Sequence, residues 1–192
     1  MDGGPTMEII SKKLKIVSIK NFYHVNFLYR LKVDYIIEKN YKNRSKNGYV
    51  GGMNGDFNYK IINPNDKFFD KLYDRFLTYS KNIFGDFSVS SKNQTTCWCY
   101  RSIGENYILK YHDHKMTSTI NGVYYYKLNQ GDSISFLQDD EEFVYHPEQE
   151  EMLIFPNDLL HKPNKPTKDC YRYSINMEIK TNELSHQIFR EI

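Results

Sequence analysis

The sequence predicts a mainly β fold, a β-sandwich or jelly roll, with a helix packed on one sheet. After residue 86 the chain consists of short runs rich in β-branched and aromatic residues, and turn residues such as Gly104 and Asn129–Asp132 separate them. A strongly periodic helical segment precedes these runs. Several short strands that follow a covering helix are typical of sandwiches and jelly rolls. The predicted strands are Thr96–Arg101, Tyr107–His112, Ile120–Leu128, Ser133–Leu137, Glu151–Phe155 and Arg172–Ile179.

The clearest helix is predicted over residues 66–84, because apolar side chains recur there at alternating spacings of three and four. Asn65 is a suitable N-cap, and the carboxylate of Asp66 suits the positive end of the helix dipole. Gly85 is a suitable residue to end the helix. The apolar face consists of Phe68, Phe69, Leu72, Tyr73, Phe76, Leu77, Ile83 and Phe84.

The first 60 residues are less regular. Residues 8–38 contain short β-branched and aromatic runs, notably Leu14–Val17 and Val33–Ile37, which predict strands with some helical ambiguity. Residues 39–59 are polar and contain Asn-Gly and Gly-Gly pairs, which predict a long loop or a hairpin. No repeat and no Pro- or Ser-rich linker divides the chain, so we expect one domain over 1–192. Within it, residues 1–95 supply supporting strands and a helix, and residues 96–180 form the core barrel.

Composition excludes several classes of protein. The chain has 192 residues with 26 Lys and Arg against 24 Asp and Glu, a balance that argues against a nucleic-acid partner or a polybasic membrane surface. The mean hydropathy is -0.69, and no apolar run approaches the roughly 18 residues of a membrane span. Residues 1–6 do not look like a signal peptide. Three cysteines, an odd number, argue against a disulfide framework. We therefore expect a soluble cytoplasmic protein without a membrane partner.

Two histidines stand two residues apart in the segment Tyr111–His114. If this segment is extended, His112 and His114 point to one face and Asp113 points to the other. Two imidazoles on one face of a strand form half of a metal site. The alternative is a surface strand with two ordinary histidines.

A second group of polar residues follows a predicted buried strand over Glu151–Phe155. A short turn after Pro156 brings His161 beside the next strand, where Arg172 and Ser174 share one face by the period of two. A guanidinium binds a carboxylate through two hydrogen bonds, and a hydroxyl adds a donor. The pair therefore suits a dicarboxylate near a metal, whereas a surface arginine in a salt bridge is the alternative.

Other conspicuous residues are interpreted as structural. His24 and His146 are predicted to be structural or surface histidines. The acidic run Asp139–Glu142 is predicted to be a solvated loop. Cys97 and Cys99 share one face of a predicted strand, where burial is a simpler explanation than metal binding.

Taken together, these motifs resemble the iron(II)/2-oxoglutarate-dependent oxygenases, in particular the compact prolyl-hydroxylase-like group of phages and bacteria. That family has a double-stranded β-helix, a jelly roll related to the cupins, with an HxD motif, a distal histidine and a later Arg-x-Ser. The resemblance covers roughly residues 96–178. The matching segments are Trp98–Gly104, His112–His114, Asn121–Tyr126, Leu153–Pro156, His161 and Arg172–Asn176.

The resemblance implies roles for individual residues. His112 and His161 would be iron ligands, and Arg172 would pair with the distal carboxylate of 2-oxoglutarate with help from Ser174. Tyr125 looks like the tyrosine that hydrogen-bonds the same carboxylate in prolyl-hydroxylase relatives. Tyr100 is a weaker candidate that lines the cosubstrate pocket. No separate catalytic residue is implied beyond the metal centre.

One position departs from the family pattern. The usual second ligand is a carboxylate two residues after the first histidine, but position 114 is His and Asp113 is one residue away. Either His112, His114 and His161 form a three-histidine site, or a bulge turns Asp113 inward and restores a carboxylate. Strand alternation favours the three-histidine arrangement. Three histidines and a water also suit zinc.

The function that the resemblance implies is an Fe(II)- and 2-oxoglutarate-dependent dioxygenase that uses O2 to hydroxylate a substrate. A prolyl residue of a protein or peptide is the first expectation, and a small-molecule substrate is the other. A different class is a non-enzymatic or cofactor-independent cupin-like metal-binding protein. Arg172 and Ser174 discriminate between these classes, because a structural metal site needs no dicarboxylate clamp.

Overall fold

The computed structural model describes residues 4–42, 57–58, 67–89, 96–102, 110–116, 118–167 and 170–181. These residues form ten strands and two helices. In chain order they are β1 (Thr6–Ser11), β2 (Ile16–Lys20), α1 (Phe27–Lys42), β3 (Phe57–Asn58), α2 (Lys67–Phe84), β4 (Thr96–Ser102), β5 (Ile120–Lys127), β6 (Ile134–Gln138), β7 (Glu141–Tyr145), β8 (Met152–Pro156), β9 (Leu160–Pro163) and β10 (Arg172–Ile179).

The strands form two antiparallel sheets. The larger sheet has the order β1-β2-β8-β5-β10-β4-β3, and the smaller sheet has the order β7-β6-β9. A single bridge between His112 and His161 extends the smaller sheet beyond β9. The neighbours in the larger sheet are far apart in sequence, as expected for a jelly roll. The predicted mainly β jelly-roll class is confirmed. Within the described residues, neither helix combines the length and hydrophobicity that crossing a membrane requires.

Helix α2 confirms the helix predicted over residues 66–84. Its apolar face, from Phe68 to Ile83, is buried against the larger sheet. The helix ends at Gly85, which has a φ of 87° and donates its N–H to the carbonyl of Lys81 at 2.9 Å. Glycine adopts this left-handed conformation without the penalty that a Cβ brings. The predicted caps Asn65 and Asp66 lie outside the described residues.

Helix α1 corrects the strand predicted over Val33–Ile37, so two helices, not one, pack on the sheet. Val33 and Ile37 lie one helical turn apart, and both are buried. The side chain of Asn26 accepts a hydrogen bond from the N–H of Tyr29 at 2.9 Å and caps the helix. The helical period was obscured because apolar residues also lie on the exposed side, namely Phe27, Leu28, Leu31 and Tyr35.

Four further segments differ from the predicted ones. The first predicted strand begins at Ile16 rather than Leu14. The loop predicted over 39–59 is helical as far as Lys42 and contains β3; residues 43–56 lie outside the described part. Of the strand predicted over Tyr107–His112, residues 107–109 are not described, and His112 makes only a bridge. His161 lies in the short strand β9 rather than after a turn alone.

The acidic run Asp139–Glu142 is a hairpin tip and not only a loop. Asp139 and Asp140 have φ angles of 53° and 63°, as a two-residue turn between antiparallel strands requires. Glu141 and Glu142 already belong to β7, where they face solvent. The prediction of a loop was therefore wrong for the second half of the run.

The larger sheet separates two different interiors. One lies between the sheet and the helices, and β10 contributes Tyr173, Ile175, Met177 and Ile179 to it. The other lies inside the barrel, between the two sheets, and contains Val123, Tyr125, Phe136 and Phe155. Because side chains alternate along a strand, the remaining residues of β10 face the barrel interior. They are Arg172, Ser174, Asn176 and Glu178.

Candidate active site

The backbone fixes His112 and His161 side by side. The N–H of His112 donates to the carbonyl of His161 at 3.1 Å, and the N–H of His161 donates to the carbonyl of His112 at 2.9 Å. Directly opposite residues in an antiparallel pair project to the same face. The centres of the two imidazole rings are 4.5 Å apart.

His114 joins this pair from a loop that hydrogen bonds hold in place. Its N–H donates to the carbonyl of Asn157 at 2.9 Å, and its own carbonyl accepts the N–H of Ser118 at 3.0 Å. The Asn157 amide also donates to the carbonyl of Ser118 at 2.6 Å. The His114 ring centre is 5.2 Å from those of His112 and His161. One ring nitrogen of each histidine lies within 4.8 Å of the others, close enough to hold one metal ion.

Each of the three histidines uses its Nδ1 for an acceptor outside the cluster. Nδ1 of His112 lies 3.1 Å from the carbonyl of Lys110, and Nδ1 of His161 lies 3.0 Å from the carbonyl of Leu159. Nδ1 of His114 lies 2.6 Å from the carboxylate of Glu178. Since these acceptors have no proton to give, each Nδ1 carries the hydrogen. A hydrogen on Nδ1 leaves the ring's lone pair on Nε2, which is the arrangement that a metal requires.

Burial keeps two histidines of the cluster, His161 and His112, in the neutral state. His161 is 5% exposed, and its ring packs against Phe155 and Phe136 with centroid distances of 4.9 and 6.3 Å. Burial lowers the pKa of His161 to about 3, and burial also lowers the pKa of His112. Neutral imidazole is the form that coordinates metals, so these two groups are ready to bind at neutral pH.

Asp113 lies outside the cluster. Its carboxylate pairs with Lys115 at 3.3 Å and accepts the N–H of the same residue. Desolvation raises the pKa of Asp113, but the hydrogen bonds and the charge of Lys115 together lower it further, so the net shift is downward. The structure thus brings together His112, His114 and His161, as strand alternation predicted, and no bulge turns Asp113 inward.

The predicted dicarboxylate residues also meet inside the barrel. Arg172 and Ser174 are 2% and 6% exposed, and Ser174 lies opposite Tyr125 across the β10–β5 pair. The Tyr125 hydroxyl is buried and has no hydrogen-bond partner among the described residues. Burial raises the pKa of Tyr125, and the positive charge of Arg172 opposes that rise. A buried hydroxyl without a partner beside a buried guanidinium fits a carboxylate ligand.

Tyr100 lies on the opposite side of Ser174, in β4. The two residues are backbone partners in the β10–β4 ladder. The side chain of Tyr100 is outside the part of the chain that the structure describes, so its place in a cosubstrate pocket stays a prediction.

Two residues near the histidines were missed from the sequence. Glu178 contacts His114, and the period of two that placed Arg172 and Ser174 on one face also places Glu178 there. Asn121 is the backbone partner of Glu178 on β5 and is 3% exposed. Its Oδ1 accepts the Ser118 hydroxyl at 2.7 Å, whereas its Nδ2 has no partner among the described residues. It borders a small cavity with His114, His161 and Asn176.

A larger cavity lies elsewhere. It measures about 400 Å³ and is bordered by the β1–β2 turn, the end of α2 and the hairpin tip at Asp139. It contains none of the three histidines and not Arg172. Lys13, the first of its three lysines, is already paired with Asp139 and Glu141 at 3.6 and 3.3 Å. This mixed cleft lacks convergent donors, so the histidine cluster is the better candidate for chemistry.

Comparison with solved structures identifies the fold. A prolyl 4-hydroxylase from Phytophthora capsici superposes with a TM-score of 0.64 at 13% identity, covering 92% of this chain and 64% of that one. The chain has the fold of the prolyl 4-hydroxylases. A prolyl hydroxylase from Trichoplax adhaerens, solved with a peptide of the hypoxia-inducible factor oxygen degradation domain, matches with a TM-score of 0.58 at 15% identity over 92% of this chain and 89% of that one. A Pseudomonas putida prolyl-4-hydroxylase gives 0.52 at 12% identity, over 88% and 94%.

The sequence comparisons add no further relative. No family model matches the chain, and no curated protein matches it. The chain spans less than two thirds of the Phytophthora enzyme's length. The resemblance to oxygenases that the motifs predicted is therefore confirmed at the level of the fold, and the three structures compared above are prolyl hydroxylases.

Proposed function

We propose that the protein is an Fe(II)- and 2-oxoglutarate-dependent dioxygenase that hydroxylates its substrate. One observation carries the proposal: the barrel interior holds both a converging three-histidine cluster and a buried arginine beside a tyrosine hydroxyl that has no hydrogen-bond partner among the described residues. A purely structural metal site has no use for the second feature. The shared fold with prolyl 4-hydroxylases supports the same conclusion.

In this proposal His112, His114 and His161 hold the metal through Nε2. Their Nδ1 hydrogen bonds fix each ring before the metal arrives, so little conformational entropy is lost on binding. The apolar contacts of His161 with Phe136 and Phe155 keep water from that side of the site. Three protein ligands leave positions open for cosubstrate and oxygen.

Arg172 binds the distal carboxylate of 2-oxoglutarate, and Ser174 and Tyr125 donate hydroxyl hydrogen bonds to the same group. The buried guanidinium supplies most of the affinity because it meets an anion away from water. Tyr100 is proposed to line the same pocket. When bound, iron and 2-oxoglutarate supply the oxidative decarboxylation that drives hydroxylation of a C–H bond. The chain's own task is to orient the cosubstrate and exclude water.

For the substrate, we propose a prolyl residue in a protein or peptide. The support is that the solved relatives are prolyl hydroxylases and that one of them was determined with a bound peptide. We also propose a reducing compartment such as the cytoplasm. The sequence contains only three cysteines, an odd number that does not suit a disulfide framework, and this supports the assignment.

The test is an anaerobic titration of the Fe(II)-loaded protein with 2-oxoglutarate, followed by its visible charge-transfer absorption. Air is then admitted and succinate is measured. Absorption at stoichiometric 2-oxoglutarate and subsequent succinate are expected. The His161→Ala variant should show neither, whereas His24→Ala, which alters a histidine outside the cluster, should behave like the wild type. Bound iron without any response to 2-oxoglutarate would contradict the proposal.

A cupin-like metal-binding protein without cosubstrate is the second candidate. The observation that favours it is that the metal cluster found among the described residues contains three histidines and no carboxylate, since Asp113 pairs with Lys115 instead. Three histidines with an open position also suit Zn²⁺. This candidate predicts tight metal binding that neither 2-oxoglutarate nor the Arg172→Ala change affects.

A further inference from the structure

A buried carboxylate contacts one of the three histidines. Oε1 of Glu178 lies 2.6 Å from Nδ1 of His114, and the two side chains are 5% and 18% exposed. Glu178 is in the middle strand of three, with Thr96 opposite on one side and Asn121 opposite on the other. The carboxylate is therefore attached to a rigid part of the larger sheet, whereas His114 comes from a loop.

We propose that Glu178 is a positioning residue of the metal site, which supplies through His114 the negative charge that a carboxylate ligand at position 114 would bring directly. The inference rests on the proposed metal site. It assigns a role to a residue that takes part neither in the histidine cluster nor in the dicarboxylate pocket.

The first argument is orientation. Nδ1 of His112 and of His161 each bonds a backbone carbonyl two residues away in sequence, an arrangement that depends only on local chain geometry. Nδ1 of His114 instead bonds a side chain from the far strand β10. A carboxylate acceptor fixes the tautomer and ring angle and makes the opposite nitrogen a stronger donor to a metal. Without Glu178, the His114 ring would lose this side-chain anchor and its fixed tautomer.

The second argument is charge. Three neutral imidazoles leave the full charge of a divalent cation uncompensated beside the apolar rings of Phe136 and Phe155. Charges are costly in such surroundings unless an opposite charge lies close. The Asp113 carboxylate faces Lys115, so it compensates a lysine rather than the cluster. Glu178 is the carboxylate that contacts the cluster among the described residues, and it is one imidazole away from the metal position.

A second histidine–glutamate pair in the same molecule provides the matched control. Nδ1 of His24 lies 2.8 Å from Oε2 of Glu150, which is also largely buried. Glu150 is further held by the guanidinium of Arg30 and by the N–H of Val25 at 3.3 Å. This pair lies outside the cluster, so its loss should affect folding and not the metal.

The experiment is a Co²⁺ titration of the metal-free full-length protein, followed by the visible d–d absorption with a competing chelator. Glu178→Gln should raise the Co²⁺ dissociation constant about 10- to 100-fold and shift the d–d bands. Glu150→Gln should leave both unchanged. The melting temperature of each metal-free variant reports folding. If Glu178→Gln does not fold, we measure the Co²⁺ dissociation constant of Glu178→Asp instead, because this change moves the carboxylate back by one methylene.

A second background separates the metal role from a general one. In His114→Asp the carboxylate binds the metal directly, so adding Glu178→Gln should no longer weaken Co²⁺ binding. An equal loss in both backgrounds, or unchanged affinity in Glu178→Gln, would overturn the inference while leaving the proposed function intact. If the wild-type protein binds neither Co²⁺ nor Fe²⁺, the proposed function fails, and the role of Glu178 fails with it.

Discussion

The two faces of the β5–β10 strand pair carry different chemistry. On the helix side, Tyr124, Ile175 and Met177 are fully buried among apolar and aromatic neighbours. On the barrel side, the same two strands present Asn121, Tyr125, Arg172, Ser174 and Glu178, all buried and all polar. Buried polar groups stabilise a fold poorly and need partners, whereas apolar packing stabilises it well. One strand pair thus anchors the fold with its helix-side face and forms the candidate site with its barrel-side face.

This division predicts that stability and ligand binding respond to different substitutions. Changes on the helix side should lower the free energy of unfolding and leave metal and cosubstrate affinity intact in the folded fraction. Changes on the barrel side should weaken metal or cosubstrate binding and leave the free energy of unfolding nearly unchanged. The following predictions test the division in order of expected effect.

Phe76→Ala should give the largest loss of stability. Phe76 is fully buried in α2 and meets β5 at Gly122. Removing a buried phenylalanine ring costs about 3–5 kcal/mol, because apolar contacts are lost and a cavity remains. Urea unfolding measures the change. The Co²⁺ affinity of the folded variant, measured without urea, should equal that of the wild type. A weaker affinity would show that the helix side also controls the metal site.

Arg172→Ala should weaken 2-oxoglutarate binding by about 2–5 kcal/mol, which corresponds to roughly 30- to 5000-fold. The physical reason is that a buried carboxylate would lose its bidentate cation. The apparent dissociation constant comes from the anaerobic titration, and metal content is measured in parallel and should not change.

The matched control for Arg172 is Arg75→Ala on the helix side. The Arg75 guanidinium donates to the carbonyl of Phe22 at 2.5 Å and lies 5.2 Å from the Tyr23 ring centre. Its removal should lower stability without a change in 2-oxoglutarate affinity. Loss of metal from Arg172→Ala with normal cosubstrate dependence would show that Arg172 supports the histidines instead of the ligand.

Gly122→Ala tests where the two faces are closest. A Cβ at residue 122 would lie 2.5 Å from the Phe76 ring, and that ring cannot withdraw because it is fully buried. Overpacking of this kind costs about 1–3 kcal/mol. In a Phe76→Leu background the smaller side chain leaves room, so the same change should cost less. Equal costs in both backgrounds would mean that Phe76 is not the obstacle.

Much of the fold could be predicted because alternation and helical periodicity are local signals. Arg172–Ile179 was predicted with its observed bounds, and the α2 boundaries were nearly correct. Helix α1 was missed because its exposed side is as apolar as its buried side, so no single face stands out. The strand β7 was missed because its first residues, Glu141 and Glu142, are acidic and continue the acidic run of the turn before them. Both side chains are exposed, so the strand accommodates them.

In the candidate site, too, local sequence patterns identified some residues and missed those that depend on contacts between distant strands. The three histidines and Arg172 were predicted because their spacing and residue types are conspicuous in sequence. Glu178 was not, since its contact with His114 joins residues that are 64 positions apart and appears only when the sheet is assembled. Sequence alternation only favours His114 over Asp113, because the choice depends on backbone hydrogen bonds that join His114 to Asn157 and Ser118.

The smallest expected effect is a pH dependence that belongs to the barrel face. In the metal-free protein His161 has a pKa of about 3, whereas an unfolded histidine has a pKa near ~6.5. Below that higher value the unfolded chain binds a proton that the folded protein excludes, so the free energy of unfolding falls as the pH falls. Between roughly pH 7 and 5.5 the loss should be about 1 kcal/mol from His161, and the lowered pKa of His112 adds to it in the same direction. Urea unfolding at both pH values measures the change, and His161→Gln should show a smaller one. If His161→Gln and the wild type lose equal stability between these pH values, His161 is not the source of the pH dependence. The barrel face would then not differ from the helix face in this respect.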